Sequence, residues 1–571
     1  MVLKPWVKKR YELLLENFGD EEFGREDAYR VLKSRFGDEK EEVSRILSDI
    51  KKEGLLRERV DIEDRRVKIY RLVRRDERFT RGDLESLMKK AAALIRTRVD
   101  YKYILILLFL KRISDKWMRE YRAKVEELVD EGIPREIAER EAKNPDFHSF
   151  AIPEELLWEE IRRDVNKLPE KLSEAIKKIA ELNPDLKGVF ATIEFISFTV
   201  NRENLSILHQ LVELFSEIDL GEVSSDILGD AYEWVLRYFA PQKAKEGEVY
   251  TPREVIQLLV NIVDPRPGES VYDPAAGSGG MLIESHRYVR ERYGEEVKRL
   301  FLYGQEHNQT TYGLCKMNLI IHDIQSAELA LGDSLLYPKI LENGKPKKFD
   351  VVIANPPWNQ DGYPEEKLKT GEFWKERFEF GFPTKQSADW AWIQHMLYSS
   401  RRIVGVVIDN GALFRGGREK KIRAKIIDRD LVDTVILLPE KLFYNTGAPG
   451  AIIIFNRQKD DKRKGNVLFI NASQEYEKHP DVRKLNILSE KNIEKIVNAY
   501  RNFSEEGGFS RVVSMEEIKD NDYNLNVTLY VFPEVEEEEI DVHAEWEELR
   551  RIEEKMKAVN ERIEEYLRVM K

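Results

Sequence analysis

Cysteine is nearly absent: the chain holds one, Cys315, in 571 residues. A lone thiol builds neither a disulfide framework nor a cysteine-ligated zinc site. Long apolar runs are missing too. The longest, Ile104–Leu110, falls far below the roughly 20 residues that cross a bilayer, and the first residues carry no apolar signal-peptide core. A soluble, cytoplasmic protein without membrane contact is expected. The histidines are scattered without metal-ligand spacing, so no metal site is expected. No Lys-Ser or Lys-Thr follows the glycine-rich turn, which excludes a Walker-type phosphate loop. Nothing in the chain resembles a helicase or nuclease, so any DNA cleavage would lie on another chain. Positive charge is not in excess: 94 Lys and Arg stand against 106 Asp and Glu, a formal net charge of −12. Phosphate contacts need a basic face, so a nucleic-acid role requires a local basic surface or a partner that supplies one.

What the chain does contain is organised around Val351–Trp358, VVIANPPW. The β-branched run predicts a central parallel strand covered on both faces. Pro356 and Pro357 cannot extend a ladder, so the strand ends abruptly at Asn355. In open α/β sheets that edge binds ligands. An exocyclic amine is a poor nucleophile because its lone pair is conjugated. The Asn355 amide oxygen and the Pro356 carbonyl could each accept one of its N–H groups and localise that lone pair. Trp358 could stack on the ring, as aromatic side chains do on extruded bases. An ordinary strand-to-loop junction also begins with Asn-Pro, so the surrounding motifs decide.

The length predicts three or more domains, and 35% charged residues with one Cys fit a thermophilic source. Residues 1–75 read as a winged-helix module, with helices at Trp6–Phe18, Arg25–Phe36 and Lys40–Glu53 and a hairpin of Leu55–Val60 and Val67–Val73. Arg65 and Arg66 at the hairpin tip suit a phosphate, whereas the acidic start of the third helix suits protein docking; both readings stand. Residues 80–220 read as a helical scaffold in which Ile104–Leu110, apolar all round, is deeply buried. Residues 225–460 read as the catalytic domain and 461–535 as a tail region.

Within the catalytic domain, Thr251 and Pro252 predict a helix cap and a first helical residue. Ser270–Gly280 reads as strand, glycine turn and helix, with Asp273 at the strand end. The next strands, Phe301–Gly304 and Leu329–Leu331, lead to Glu306 and to Asp333 with Ser334. An acid at the second strand end is where a ribose diol is bound in a doubly wound fold, and Asp333 could accept from an adenine amine. One such carboxylate is as often a cap as a ligand. Three, with Asn355 at the fourth strand end, describe a pocket for a nucleoside with a charged tail beside a site for an amine.

These motifs resemble class I S-adenosylmethionine-dependent amino-methyltransferases, most closely the methylation (modification) subunit of type I restriction–modification systems, over roughly residues 80–571. The resemblance implies an α/β, Rossmann-like catalytic domain that binds S-adenosylmethionine. Glu248, Val249, Tyr250, Thr251, Pro252 and Arg253 match the stretch that contacts the methionine part. Asp273, Pro274, Ala275, Gly277, Ser278 and Gly279 match the cofactor loop, Glu306 the ribose acid, and Asp333 with Ser334 the adenine contact. Asn355, Pro356, Pro357 and Trp358 match the catalytic tetrapeptide, in which the family usually has Phe or Tyr where this chain has Trp358. Leu442–Gly447 resembles the segment that brings a second aromatic to the flipped base. There Phe443 is the first choice and Tyr444 the second, with core packing as the alternative. Asp522–Asn526 resembles a tail element of the family.

The implied activity is transfer of methyl to the N6 amine of a flipped adenine in DNA. Cytosine C5 methylation needs a thiolate, and Cys315 falls in a helical stretch. N4-cytosine, RNA or a protein glutamine are chemically close alternatives; a non-catalytic cofactor-binding subunit is the alternative of another class. Leu549, Ile552, Met556, Val559, Ile563, Tyr566 and Met570 alternate steps of three and four, the seam of a coiled coil. The helix at 538–571 is therefore expected to dock on a partner. The resemblance implies that this is the DNA-specificity subunit, with a restriction (nuclease/translocase) subunit in the full complex.

Overall fold

The computed structural model describes residues 5–19, 22–52, 55–60, 68–72, 81–96, 99–221, 223–244, 250–444, 446–479, 482, 484–532 and 542–569. The N-terminal unit comprises α1 (Pro5–Phe18), β1 (Glu22–Gly24), α2 (Arg25–Phe36), α3 (Lys40–Lys52), β2 (Leu56–Val60) and β3 (Lys68–Leu72). Its strands pair antiparallel in the order β1-β3-β2. Val7, Tyr11, Leu14, Leu32, Ile46 and Ile50 form its core. Arg65 and Arg66 lie outside the described residues. No helix among the described residues is long and apolar enough to cross a membrane.

The helical region is built from α4 (Arg81–Ile95), α5 (Lys102–Asp130), α6 (Leu168–Leu182), α7 (Arg202–Ser216) and α8 (Ser225–Ala244). Ile104–Leu110 opens α5 and is buried throughout, as its all-round apolarity requires.

The catalytic region follows with α9 (Arg253–Val263), β4 (Ser270–Asp273), α10 (Gly280–Tyr293), β5 (Phe301–Glu306), α11 (Gln309–Ile321), β6 (Glu328–Leu331), β7 (Phe349–Ala354), α12 (Asp389–Ser399) and β8 (Ser400–Asp409). It continues through α13 (Gly417–Asp428), β9 (Val432–Leu437), β10 (Gly450–Asn456), β11 (Asn466–Asn471), α14 (Glu490–Asn502) and β12 (Ser510–Ser514). One nine-stranded sheet results, ordered β12-β11-β9-β10-β8-β7-β4-β5-β6. Strands β6, β5, β4, β7 and β8 run parallel, and β10 lies antiparallel between β8 and β9. Helices α9, α10 and α14 cover one face, and α12 and α13 the other. Val351, Val352, Ile353 and Ala354 are wholly buried, as a central parallel strand demands.

A boundary at residue 460 does not hold. β11 pairs parallel with β9, and β12 antiparallel with β11, so the expected tail completes the sheet and buries Val467–Ile470.

The helical region is welded to the sheet through α11. Leu314, Met317 and Ile321 of α11 belong to its core, and the Tyr232 hydroxyl donates to the Leu314 carbonyl at 2.9 Å. Gly313 permits the contact: a Cβ there would lie 2.2 Å from the Val189 carbonyl oxygen. The C-terminal α15 (Val542–Val569) is a single long helix.

Candidate active site

The chain passes from β4 outward through β5 to β6, then returns to β7 on the other side of β4. Neighbouring connections therefore leave in opposite directions, and a crevice opens at the C-terminal ends of β4 and β7. Asn355 and the Asp273–Gly279 turn both emerge there.

Asn355 is held at both ends of its amide. Its Nδ2–H donates to Thr251 Oγ1 at 2.8 Å, and its Oδ1 accepts the Trp358 Nε1–H at 2.8 Å. The expected cap at Thr251 is corrected. α9 starts at Arg253 with Pro252 in the cap position and no side-chain bond. A residue preceding proline is kept out of the helical conformation, which leaves the Thr251 hydroxyl turned toward Asn355.

Trp358 is half-buried, Pro356 buried and Pro357 exposed. The Trp358 indole meets Phe443 edge-on, with centroids 4.7 Å apart and planes at 66°. Phe443 is buried, and a Cβ on Gly450 would come within 2.8 Å of both rings. Of its two expected environments, Phe443 has the packed one. Tyr444 instead faces Tyr250, with centroids 6.2 Å apart.

On the other side of the crevice Asp273 is 1% exposed, and its Oδ1 accepts the Ala275 N–H at 2.9 Å. Glu306 receives the Gly277 N–H at 2.9 Å and the Asn308 N–H at 2.7 Å. Gly277 (φ +53°) and Gly279 (φ +86°) adopt left-handed conformations that favour glycine. The Ser278 carbonyl accepts from Asn318 at 2.9 Å. Ser334 Oγ–H donates to the Pro274 carbonyl at 2.6 Å, joining the turns after β4 and β6. Asp333 accepts Leu335 and Leu336 N–H groups on Oδ1, and the Tyr363 hydroxyl on Oδ2 at 2.8 Å.

Burial pushes Asp273 up to about 8, with Glu306 adding to the rise and the Ala275 N–H opposing it. Burial also raises Glu306, against the Asn308 and Gly277 N–H groups. Two crowded carboxylates with high proton affinity suit a cationic ligand. The Cys315 thiol, buried within α11, is pushed well above its ordinary value by burial.

Three expected contacts are placed elsewhere or lie outside the described residues. Arg253 turns its guanidinium to Asp230 at 2.9 Å and Glu233 at 3.8 Å, a pair spaced one turn apart on α8. Glu248 and Val249 lie outside the described residues.

The sequence does not single out Tyr363 or Arg377. Arg377 is buried and donates to the carbonyls of Ser334 (3.0 Å), Leu335 (2.7 Å) and Glu372 (2.6 Å), bracing the turn after β6. A tyrosine in a Gly-Tyr-Pro loop and an arginine ending the short helix Trp374–Arg377 carry no local signal of these partners.

The sheet and its crevice define an α/β methyltransferase. The chain belongs to the N-6 DNA methylase family, whose model matches residues 223–539, and among these to the methylase subunits of type I restriction enzymes. Residues 84–215 match the HsdM N-terminal domain. The type I restriction enzyme MjaVII methylase subunit of Methanocaldococcus jannaschii is 47% identical over 99% of this chain and 97% of its own length. The MjaVIII methylase subunit of the same organism is 44% identical over 96% of this chain and 95% of its own. Among solved structures, a type I restriction–modification methyltransferase subunit from Streptococcus thermophilus superposes with a TM-score of 0.68 at 28% identity, covering 79% of this chain and all of that one. The activity is accordingly that of an N6-adenine-specific DNA methyltransferase working as a modification subunit.

Proposed function

We propose that the crevice between β4 and β7 binds S-adenosylmethionine and that Asn355 and Pro356 activate the N6 amine of an adenine flipped out of the duplex. The observation that carries this reading is the doubly held amide of Asn355 at the switch point of the sheet. An amide oxygen has two lone pairs; with one given to the Trp358 indole, the other is left to accept an amine N–H. The Pro356 carbonyl takes the second N–H, so the nitrogen lone pair localises for attack. Trp358 offers a ring face to the base, and Phe443 backs it from the core. Catalysis comes mainly from position, since the reacting nitrogen needs geometry more than a strong base.

The cofactor fits the residues on the other side. Asp273 and Glu306, two carboxylates in one crevice, match its cationic end and its ribose, and Gly277 and Gly279 let the backbone approach. Pro274, Ala275 and Ser278 complete that turn, Asp333 and Ser334 face its adenine, and Tyr250 and Thr251 lie toward its methionine end. S-adenosylmethionine, when bound, supplies an electrophilic methyl group. Arg253 acts indirectly, by tying α9 to α8.

Exposure and charge support the partner reading that the family implies. Leu549, Ile552, Met556, Val559 and Ile563 of α15 are each about half exposed, an apolar seam on a single helix. We infer that it docks on helices of the specificity subunit in coiled-coil fashion, and that a restriction subunit joins the full cytoplasmic complex. The three-stranded, three-helix N-terminal unit is a winged-helix module. Nucleoside analysis after tritiated-methyl transfer to DNA, with and without the co-purified partner, tests the reading. N6-methyladenine is expected, and label in cytosine, RNA or protein alone would overturn it.

A further inference from the structure

β7 and β8 are parallel neighbours with Ala354 opposite Val406, so their following turns leave the sheet side by side. The first turn carries the catalytic tetrapeptide and then Asn359; the second runs through Leu413 to Arg415. Asn359 has φ +50°, a left-handed backbone that Asn tolerates better than most residues. It is clamped from two directions. Its N–H donates to Asp389 Oδ1 at 2.9 Å, and its Oδ1 accepts Arg415 Nη1–H at 2.6 Å. Gln360 is fixed too: its carbonyl accepts the Ala388 N–H at 2.8 Å, and its Oε1 accepts the Trp392 indole N–H at 3.0 Å.

Arg415 is the hub of this arrangement. It pairs with Asp389, with Asp409 at 3.0 Å and with Glu419 at 2.8 Å, and it reaches Ser387 Oγ at 3.1 Å. Asp389 and Glu419 are almost wholly buried. Three carboxylates around one guanidinium exceed what charge pairing requires, and buried ion pairs are weak contributors to stability. What the planar fork adds is direction: its donors are fixed relative to one another, which an ammonium cannot match. The Arg415 turn is itself anchored. Leu525 N–H donates to the Leu413 carbonyl at 3.0 Å, and Arg423 bridges the carbonyls of Arg415 (3.0 Å) and Tyr523 (2.7 Å). The Asp522–Asn526 element thus braces the turn that holds the catalytic loop.

We infer that Arg415 is a positioning residue for methyl transfer: through Asn359 it fixes the turn after Trp358, so that Asn355 and Trp358 meet the target amine in register. The inference rests on Asn355 being the amine-activating group.

The test is single-turnover methyl transfer by the full chain in the complex in which it is active. R415A and N359G should slow the step by roughly tenfold to a hundredfold, as a small misplacement does, with S-adenosylmethionine affinity within about twofold. N359G is the variant expected to fold regardless, because glycine is at ease at positive φ. R415K should fail to restore the rate. Guanidinium ion, below its unfolding range, should partly rescue R415A and not N359G. Because both residues act through one contact, R415A/N359G should be little slower than R415A alone. Wild-type rates in R415A and N359G, additive losses in the double variant, or a loss confined to cofactor affinity would each overturn the inference. N355A separates the two failures. If it still transfers methyl, the Asn355 reading falls; if it is dead while R415A and N359G are unaffected, only the Arg415 inference falls.

Discussion

The Trp358 indole Nε1–H donates to Asn355 Oδ1 at 2.8 Å, so the aromatic proposed to face the target base also orients the amide proposed to activate its amine. Phenylalanine at this position would keep a ring and lose that bond. Trp358→Phe should therefore lower the single-turnover rate by the worth of one neutral hydrogen bond, about 0.5–1.5 kcal/mol. Base extrusion, followed by 2-aminopurine fluorescence, should be unchanged. Trp358→Ala should weaken extrusion as well. An unchanged or faster rate in Trp358→Phe would show that the indole bond does not orient Asn355.

Thr251 holds the other end of the amide. Thr251→Val keeps the shape and removes the acceptor, and should cost the rate about 1 kcal/mol while calorimetry finds S-adenosylmethionine affinity nearly unchanged. Thr251→Ser should restore most of the rate. Weakened cofactor binding with an intact rate would instead make Thr251 a cofactor ligand alone.

That pairing marks where sequence legibility stops. The Asn355 turn and the glycine turn announce themselves locally, through two prolines and through glycines at strand ends. Thr251 and Asn355 are 104 residues apart and meet only through the order and packing of the sheet, since α9, which Thr251 precedes, lies on the sheet face with Leu259 and Val263 against Gly405 of β8. Tyr363 on Asp333 and Arg415 on Asn359 are likewise products of sheet order. The apolar stretch Val467–Ile470 falls in the region read as a tail, because nothing local says that it joins the same sheet. Phe443 fits a base-stacking or a core role by composition, and only its burial beside Gly450 separates them.

Asp273 carries a pH signature. Burial, reinforced by Glu306, holds it at about 8, so it is mostly protonated at pH 7, whereas a cationic ligand favours its ionised form. Binding should release close to one proton near pH 7. Affinity should rise by up to about tenfold per pH unit below 8 and level off above it. Calorimetry in buffers of different ionisation enthalpy measures the proton directly. The dependence should vanish in Asp273→Asn; buffer-independent heats in the native protein would contradict the assignment.

Removal of residues 541–571 takes away α15 and its exposed seam while leaving the sheet intact. The truncated chain should fold and bind S-adenosylmethionine, but lose the co-purifying specificity subunit and site-specific methylation together. Retention of both would move the interface to the helical region or the N-terminal unit.

On the proposed mechanism Asn355 acts on the amine and not on the cofactor. Asn355→Ala measures it most directly, with S-adenosylmethionine affinity from calorimetry set beside single-turnover methyl transfer to DNA on the same preparation. Affinity within about twofold of native is expected, since the amide is directed at the amine while Asp273 and Glu306 hold the cofactor on the other side of the crevice, together with no detectable N6-methyladenine. Transfer at a rate comparable to the native protein would contradict it.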